Sequence, residues 1–379
     1  MKPRSCISAR ARRPRCARSR AGCTPDADVA AGRLSWGRVH LLLAAGLLAA
    51  VLLSLCIGSF YFPPAEIFRF FRHWLGIAPI GADEALDLNV FATLRAPRVL
   101  LCGVTGATLG LSGALMQGLF RNPIVEPGLA GTSSGAALGA SMVFVLGNTA
   151  LAFTSPLGTA AVPVMAFIGG FLATMLVYRI ATLFGHTDVL ALLLAGIAVN
   201  AVCNAGTGFL SYIARDPQAR NITFWNLGTF TTADWRGSLL VTIVFVPCLI
   251  FILRRGKDLN ALMLGEDDAA FIGFDPDRLV FRLLILNTLI VSVATAMVGV
   301  IAFVGLIVPH MMRLLRSSDY RFLLPASALF GALLMEAVDV VARLVIRPAE
   351  LPVGIITALI GAPIFLWILL VYRRRITSW

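Results

Sequence analysis

Charge is scarce in this 379-residue chain. Asp, Glu, Lys and Arg together make up 14% of it, against about 25% in an ordinary soluble domain. With 58% hydrophobic residues and a mean hydropathy of +0.84, most of the chain must sit in something other than water. That excludes a soluble enzyme and a disordered scaffold. A cysteine framework is also missing. Cys6, Cys16 and Cys23 lie in a basic N-terminal stretch, and Cys56, Cys102, Cys203 and Cys248 lie in apolar runs without any CxxC. This excludes a disulfide-stapled module and suggests neither a zinc site nor a redox pair. The four histidines (His40, His73, His186, His310) have no second ligand at helical spacing, so no metal site is expected. Gly256-Lys257 is followed by Asp258 with no phosphate-loop pattern around it. No nucleophile, base and orienter come together to suggest catalysis. The chain is not expected to be an enzyme, and any ATP it needs must be hydrolysed by another chain.

What is present is a series of apolar runs. They fall at about 39–60, 97–119, 128–147, 159–183, 188–213, 237–254, 280–301, 303–315, 322–342 and 353–372. Most reach the roughly 20 residues a helix needs to cross a bilayer, and backbone in lipid must satisfy itself, so these are helices. The fold class is therefore an all-α polytopic membrane protein with about ten transmembrane helices. Between the first two runs, Ile67, Phe68, Phe70, Phe71, Trp74 and Leu75 interleave with Arg69 and Arg72, the pattern of a short interfacial helix. Gly106/Gly110 and Gly131/Gly135/Gly139 are spaced four apart, which lets helix backbones approach closely.

The net charge of +12 is concentrated in one place. Residues 1–38 hold nine Arg and one Lys against Asp26 and Asp28. This segment reads as a disordered cytoplasmic tail held inside by its positive charge, preceding a transmembrane domain over 39–375. Ten crossings return the C-terminus to the same side, where Arg254, Arg255, Lys257, Arg313 and Arg373–Arg375 also fall. Arg95, Arg98, Arg215, Arg220, Arg343 and Arg347 fall on the other side and need a separate reason.

Two polar groupings sit where lipid would not tolerate them. Asn200, Asn204, Thr207 and Ser211 share one helical face. That face either packs on another helix or lines a water-filled route. Glu336, Asp339 and Arg343 share another face, and Asp339 and Arg343 are spaced for an ion pair. Intramembrane acids are candidates for function, for example proton coupling in a secondary transporter, or else they secure a helix end. Between the sixth and seventh runs, Leu262, Leu264, Ala269, Ile272 and Phe274 mix with Glu266, Asp267, Asp268, Asp275 and Asp277. A plain linker needs no such apolar residues, whereas short helices docking on a soluble partner do.

The stretch LRAPRVLLCGVTGATLGLSGALMQGLFRNPIVEPGLAGTSSGAALGA (94–140) resembles the FecCD family, the permease subunits of type II ABC importers for ferric siderophores, haem and cobalamin. MLGEDDAAFIGFDP (263–276), FVGLIVPHMMRLL (303–315), EAVDVVARLV (336–345) and ELPVGIITALIGAPIFLWILL (350–370) support the resemblance, which covers about residues 40–375 in order. The resemblance implies a bacterial inner-membrane protein with both termini cytoplasmic. It implies a homodimer around a central translocation pathway, two copies of an ABC ATPase, and a periplasmic binding protein that delivers substrate. No cofactor would be bound by this chain, with ATP and Mg held in the partner ATPase. Coupling helices are implied at about 261–275, around Leu264, Gly265, Glu266, Asp267, Ala270 and Gly273. Arg95, Arg98 and Arg343 match arginines that meet acidic residues of the binding protein, and the helix with Asn200 and Asn204 matches one that lines the route. The external stretch 214–230 looks most like that of haem permeases. Its Arg215 and Arg220 are then candidates to meet haem propionates, since Arg forks onto carboxylates. A ferric siderophore is the alternative substrate, and cobalamin a further one. The docking segment argues against the secondary transporter.

Overall fold

The computed structural model describes residues 35–58, 61–77, 79, 81, 84–147, 157–182, 189–265, 273 and 275–376. Residues 1–34 of the expected tail lie outside them. Fourteen α-helices run along the described chain, and no strand occurs among the described residues. In order they are α1 (Trp36–Cys56), α2 (Pro64–Trp74), α3 (Ala85–Val90), α4 (Ala96–Leu119), α5 (Thr132–Leu146), α6 (Ala161–Ala181) and α7 (Val189–Ile213). The chain continues with α8 (Asp216–Asn226), α9 (Trp235–Arg254), α10 (Gly256–Leu262), α11 (Pro276–Val298), α12 (Val304–Leu315), α13 (Tyr320–Val345) and α14 (Val353–Ile376).

All ten apolar runs coincide with a helix. Six helical segments are long and apolar enough to cross a membrane alone: α1, the α3–α4 rod, α6, α7, α9 and α11. α5 has 15 residues and α12 has 12, about 22 and 18 Å long, so neither spans a ~30 Å hydrocarbon core by itself. The first helix opens at Trp36, where the Ser35 hydroxyl accepts from the Arg38 N–H. Aspartates start three others in the same way. Asp234 accepts from Gly237 N (2.8 Å), Asp275 from Arg278 N (3.1 Å) and Asp319 from Arg321 N (2.9 Å), each satisfying a donor that a helix start leaves orphaned. The expected interfacial helix is α2. It buries Ile67 and Phe70 and leaves Arg69, Arg72 and Trp74 exposed.

The hub is α4 against α13. Across the α3–α4 rod, 78% of the most apolar stretch is buried inside the protein, against 22% for α1 and 28% for α7. Small residues make this possible. A Cβ on Gly106 would lie 2.4 Å from the Gly331 carbonyl oxygen and one on Gly110 2.3 Å from that of Ser327, both on α13, and one on Gly113 would lie 1.8 Å from that of Gly305 on α12. The second glycine series does the same work between α5 and α6, where a Cβ on Gly139 would lie 2.1 Å from the Met165 oxygen. Both small-residue series are thus helix-packing seams. Gly131 adds a different role. At φ +89° it ends the 3₁₀ turn Pro127–Ala130 and starts α5, so that helix begins four residues later than the apolar run suggests.

Gly113→Val should lower the unfolding free energy by at least about 1–3 kcal/mol through overpacking. Gly37→Ala, where a Cβ meets nothing within 4 Å, should be neutral or slightly stabilising. Thermal unfolding of the two variants in detergent checks the contrast; equal Tm values would mean that the seam is not tight.

Candidate functional site: a polar cavity between two helix breaks

The polar face of α7 divides when folded. Asn200 turns inward: its Nδ2 donates to the Gly128 carbonyl at 3.2 Å, and its Oδ1 accepts from the Ser134 hydroxyl. Asn204 is exposed, Ser211 is half-buried, and the Thr207 hydroxyl is buried without a hydrogen-bond partner among the described residues. Asn200 serves packing, and Asn200 and Asn204 together line a cavity of about 310 Å³.

The other walls of the cavity are interruptions in helices. One is the 3₁₀ turn before α5. The other is the unwound stretch 299–303 between α11 and α12, with Gly299 at φ +79° and Phe303 at φ +68°. A non-glycine residue in the left-handed region costs about 1–3 kcal/mol and persists only where its surroundings hold it there. Glu126, which lines the cavity, sits beside the Phe303 N–H and so brings the two breaks together. Val300, Ile301 and Asn226 also line the cavity. Irregular backbone at membrane depth is tolerated where it is buried in protein or lines a water-filled cavity, and the two breaks meet at such a cavity.

Helix α8 is tied to the same place. A Cβ on Gly299 would lie 2.1 Å from the Trp225 oxygen. Thr229 N donates to Val298 O (2.8 Å), and Val353 N and Gly354 N donate to Gly228 O and Leu227 O (3.0 Å each). Arg215 and Arg220 stand exposed on α8, with Arg220 over the Phe224 ring at 5.8 Å, and neither lines the cavity.

The three arginines expected at a docking face are brought together, but they turn inward. Arg95 is 7% exposed and Arg343 2%. Arg98 donates to Asp339 at 2.8 Å and to Glu350 at 2.7 Å. Arg343 pairs with Asp339 at 3.0 Å, the i,i+4 pair its spacing suggested. Arg95 and Arg343 both donate to the Ile57 carbonyl at the end of α1, at 2.6 and 2.7 Å, and Arg343 also donates to the Ser54 hydroxyl at 2.6 Å. Arg347 adds a bond to Gly58 O at 3.1 Å. Glu336 is fully buried on the same helix as Asp339.

On the opposite end of α13, the coupling segment is partly in view. Leu264 is exposed, Gly265 is half-buried, and Gly273 is exposed at φ +95°. Glu266, Asp267 and Ala270 lie outside the described residues. The start of the segment is clipped to α13. Asn260 Nδ2 donates to Asp319 at 2.8 Å, and its Oδ1 accepts from Tyr320 N at 2.9 Å. Hydrogen bonds from Arg321 hold the Asp319 carboxyl down at about 2. A depressed carboxylate stabilises the fold above its ordinary value of 3.8 and loses that contribution as pH falls through about 2, so the clip is intact at neutral pH. Sequence reasoning missed Glu126 and this clip. The one available signal for the clip was an Asp just before an apolar run.

The model of the FecCD transport family matches residues 46–371. The chain belongs to that family. It is 38% identical to the hemin transport system permease protein HmuU of Yersinia pestis over 341 residues, which is 89% of this chain and 98% of that one. It is 39% identical to the vitamin B12 import system permease protein BtuC of Salmonella typhi, over 89% of this chain and 96% of that one. An ABC transporter of the metal-chelate type, solved in an inward-facing conformation, aligns with a TM-score of 0.73 and 31% identity, over 89% of this chain and 99% of that one. PsaBC of Streptococcus pneumoniae aligns at a TM-score of 0.53 and 20% identity, over 75% of this chain and 92% of that one, a likeness of fold. This FecCD chain is the permease subunit of a type II ABC importer, a multi-pass protein of the inner membrane.

Two outcomes are expected from the geometry. Arg98→Ala removes one partner of a buried network and should cost about 3–5 kcal/mol, read as a large fall in Tm; an unchanged Tm would show that Arg343 alone satisfies Asp339. Asp319→Ala should raise amide hydrogen exchange over 256–265 about tenfold at pH 7 with little change elsewhere. Unchanged exchange there would mean that α10 is held by its apolar residues alone.

Proposed function

We propose that this subunit imports haem. In this reading it works as a homodimer of ten-helix subunits around a central pathway. Two ABC ATPase subunits dock at 261–275 and hold the ATP and Mg, and a periplasmic binding protein docks on the opposite side. Both termini are then cytoplasmic, as the basic tail favours.

The observation that carries the haem reading is α8. Its Arg215 and Arg220 are exposed on the helix whose far end anchors the second helix break. Two guanidiniums at the mouth suit a ligand with two carboxylates, which is the chemistry of haem propionates. The identity to HmuU agrees with this reading. The equal identity to BtuC favours cobalamin as a second reading, and a ferric siderophore remains the other alternative. Asn200, Asn204, Thr207 and Ser211 are proposed to border the route, with Asn204 the member that faces outward. Arg95, Arg98 and Arg343 are proposed to shape the docking face. They hold the end of α1 and, through Glu350, the approach to α14. Leu264, Gly265, Glu266, Asp267, Ala270 and Gly273 are proposed to meet the ATPase.

The test is ATP-driven uptake in proteoliposomes holding this chain with its ATPase and binding protein. Haem uptake should need ATP and survive an excess of ferric siderophore or cobalamin. Arg215→Glu with Arg220→Glu should slow it about tenfold, the scale of losing one or two exposed charge contacts. Cobalamin or siderophore uptake without haem would leave the family assignment standing and overturn the substrate.

A further inference from the structure

α12 has a gap in its hydrogen-bond ladder. It is 12 residues long and carries Pro309 inside. Proline has no N–H, so the carbonyl four residues earlier, that of Gly305, receives no bond from within the helix. Gly305 lines the polar cavity and follows the left-handed Phe303 by two residues. A Cβ on it would lie 3.1 Å from Pro127 of the 3₁₀ turn. Gly305 thus stands between the two helix breaks.

The orphaned carbonyl is met from α4. The buried Gln117 donates its Nε2 to Gly305 O at 3.5 Å, and its Oε1 accepts from Arg313 near the end of the same α12. Both contacts demand one orientation of the amide, oxygen toward the guanidinium and nitrogen toward the carbonyl. Arg313 donates from its other terminal nitrogen to the Tyr320 hydroxyl at 3.4 Å, and that hydroxyl donates to the Met263 sulfur at 3.9 Å. A line of hydrogen bonds therefore runs from Met263 to Gly305, with Arg313 donating in both directions.

The two ends of this line differ in stiffness. Tyr320 is gripped by α10: its backbone N–H donates to Asn260 at 2.9 Å, and its hydroxyl reaches Met263, the C-terminal cap of α10. Its ring is buried, and a Cβ on Gly118 would lie 2.8 Å from it. Displacement of α10 carries that side chain with it. At the other end, the stretch 299–303 has no helical ladder, and Pro309 leaves the first turn of α12 short of a bond. Coupling between separated sites runs through contiguous chains of hydrogen bonds and packed side chains, and it does work where the far end can yield.

We propose that Tyr320, Arg313 and Gln117 form a relay by which movement of α10 reaches the wall of the polar cavity. They are positioning residues. None of the three lines the cavity, and they act through the Gly305 carbonyl. The relay rests on the reading that 261–275 meets the ATPase, and it is independent of which substrate is carried.

Amide hydrogen exchange on the full chain with its ATPase in nanodiscs, trapped with ATP, Mg and vanadate, tests this without any substrate. Trapping should change exchange at 256–265 and at 299–306 in the unaltered chain, the second by about tenfold, the scale of coupling between sites. Tyr320→Phe removes only a hydroxyl and keeps the ring against Gly118; Gln117→Leu removes only an amide. Each should keep the response at 256–265 and remove most of that at 299–306, and the double variant should remove no more than the stronger single one. A response at 299–306 that neither substitution lowers would overturn the relay and leave the docking reading standing. Losses that add in the double variant would show two separate routes and overturn the single line. No response at 256–265 in the unaltered chain would overturn both the relay and the docking reading.

Discussion

The C-terminal end of α1 is where the fold is fastened. A helix ends with carbonyls that have no partner within the helix and carries partial negative charge there. Here those carbonyls are met by arginines from elsewhere in the chain: Arg95 before α4, Arg343 near the end of α13 and Arg347 just after it. Arg343 then shares Asp339 with Arg98, and Arg98 reaches on to Glu350 before α14. One network thus joins α1, α4, α13 and the approach to α14. Arg95, Arg98 and Arg343 face two carboxylates and a helix end, with Arg347 exposed at the edge, so the removal of Asp339 leaves like charges together in a site with little water.

α13 connects this network to α10 at its opposite end. It is a 26-residue helix, about 39 Å long. The Asp319–Asn260 clip lies at its start and the Asp339–Arg343 pair near its end. Between them it packs on α4 along a seam where Gly106 and Gly331 leave no room for a Cβ. A seam without side-chain slack resists sliding and bending, because interiors this close-packed transmit displacement rather than absorb it. The polar cavity is built in the opposite way, from a 3₁₀ turn, a left-handed Phe303 and an unwound stretch. The subunit therefore combines a stiff rod with a region where backbone hydrogen bonds are already broken, and a change of shape is cheaper in the second.

The sequence made the helices legible because lipid leaves the backbone so few choices. Every apolar run became a helix, and the glycine spacings became packing seams. The boundary of α5 was not legible, because Gly131 falls within an apolar run although its left-handed backbone ends a turn. The site was harder to read. A polar stripe at helical spacing does lie on α7, but spacing cannot distinguish Asn200, satisfied by Gly128 and Ser134, from Asn204, left exposed. The partners of Asn200 lie 72 and 66 residues away. Glu126 was missed for the same reason: it looks like a loop residue until the second break folds against it. Charge counting grouped Arg95, Arg98 and Arg343 together, but it could not show their burial. For Arg95 and Arg343 it depends on Ser54 and Ile57, more than thirty residues from either, and for Arg98 on Asp339 and Glu350.

That burial bears on where specificity can reside. Of the six arginines assigned to the side opposite the tail, four are committed to internal partners. Arg215 and Arg220 remain exposed on α8. A residue that fastens the fold cannot be changed cheaply to suit a new ligand, whereas an exposed residue on an external helix can. Relatives named for hemin and for vitamin B12 are equally similar to this chain overall, as expected if most of the sequence encodes the shared frame. On the proposed function that chemistry falls to α8, which is exposed and is joined by backbone hydrogen bonds just after it to both the helix break and the start of α14. A ligand held there would act on a stretch that is already unwound.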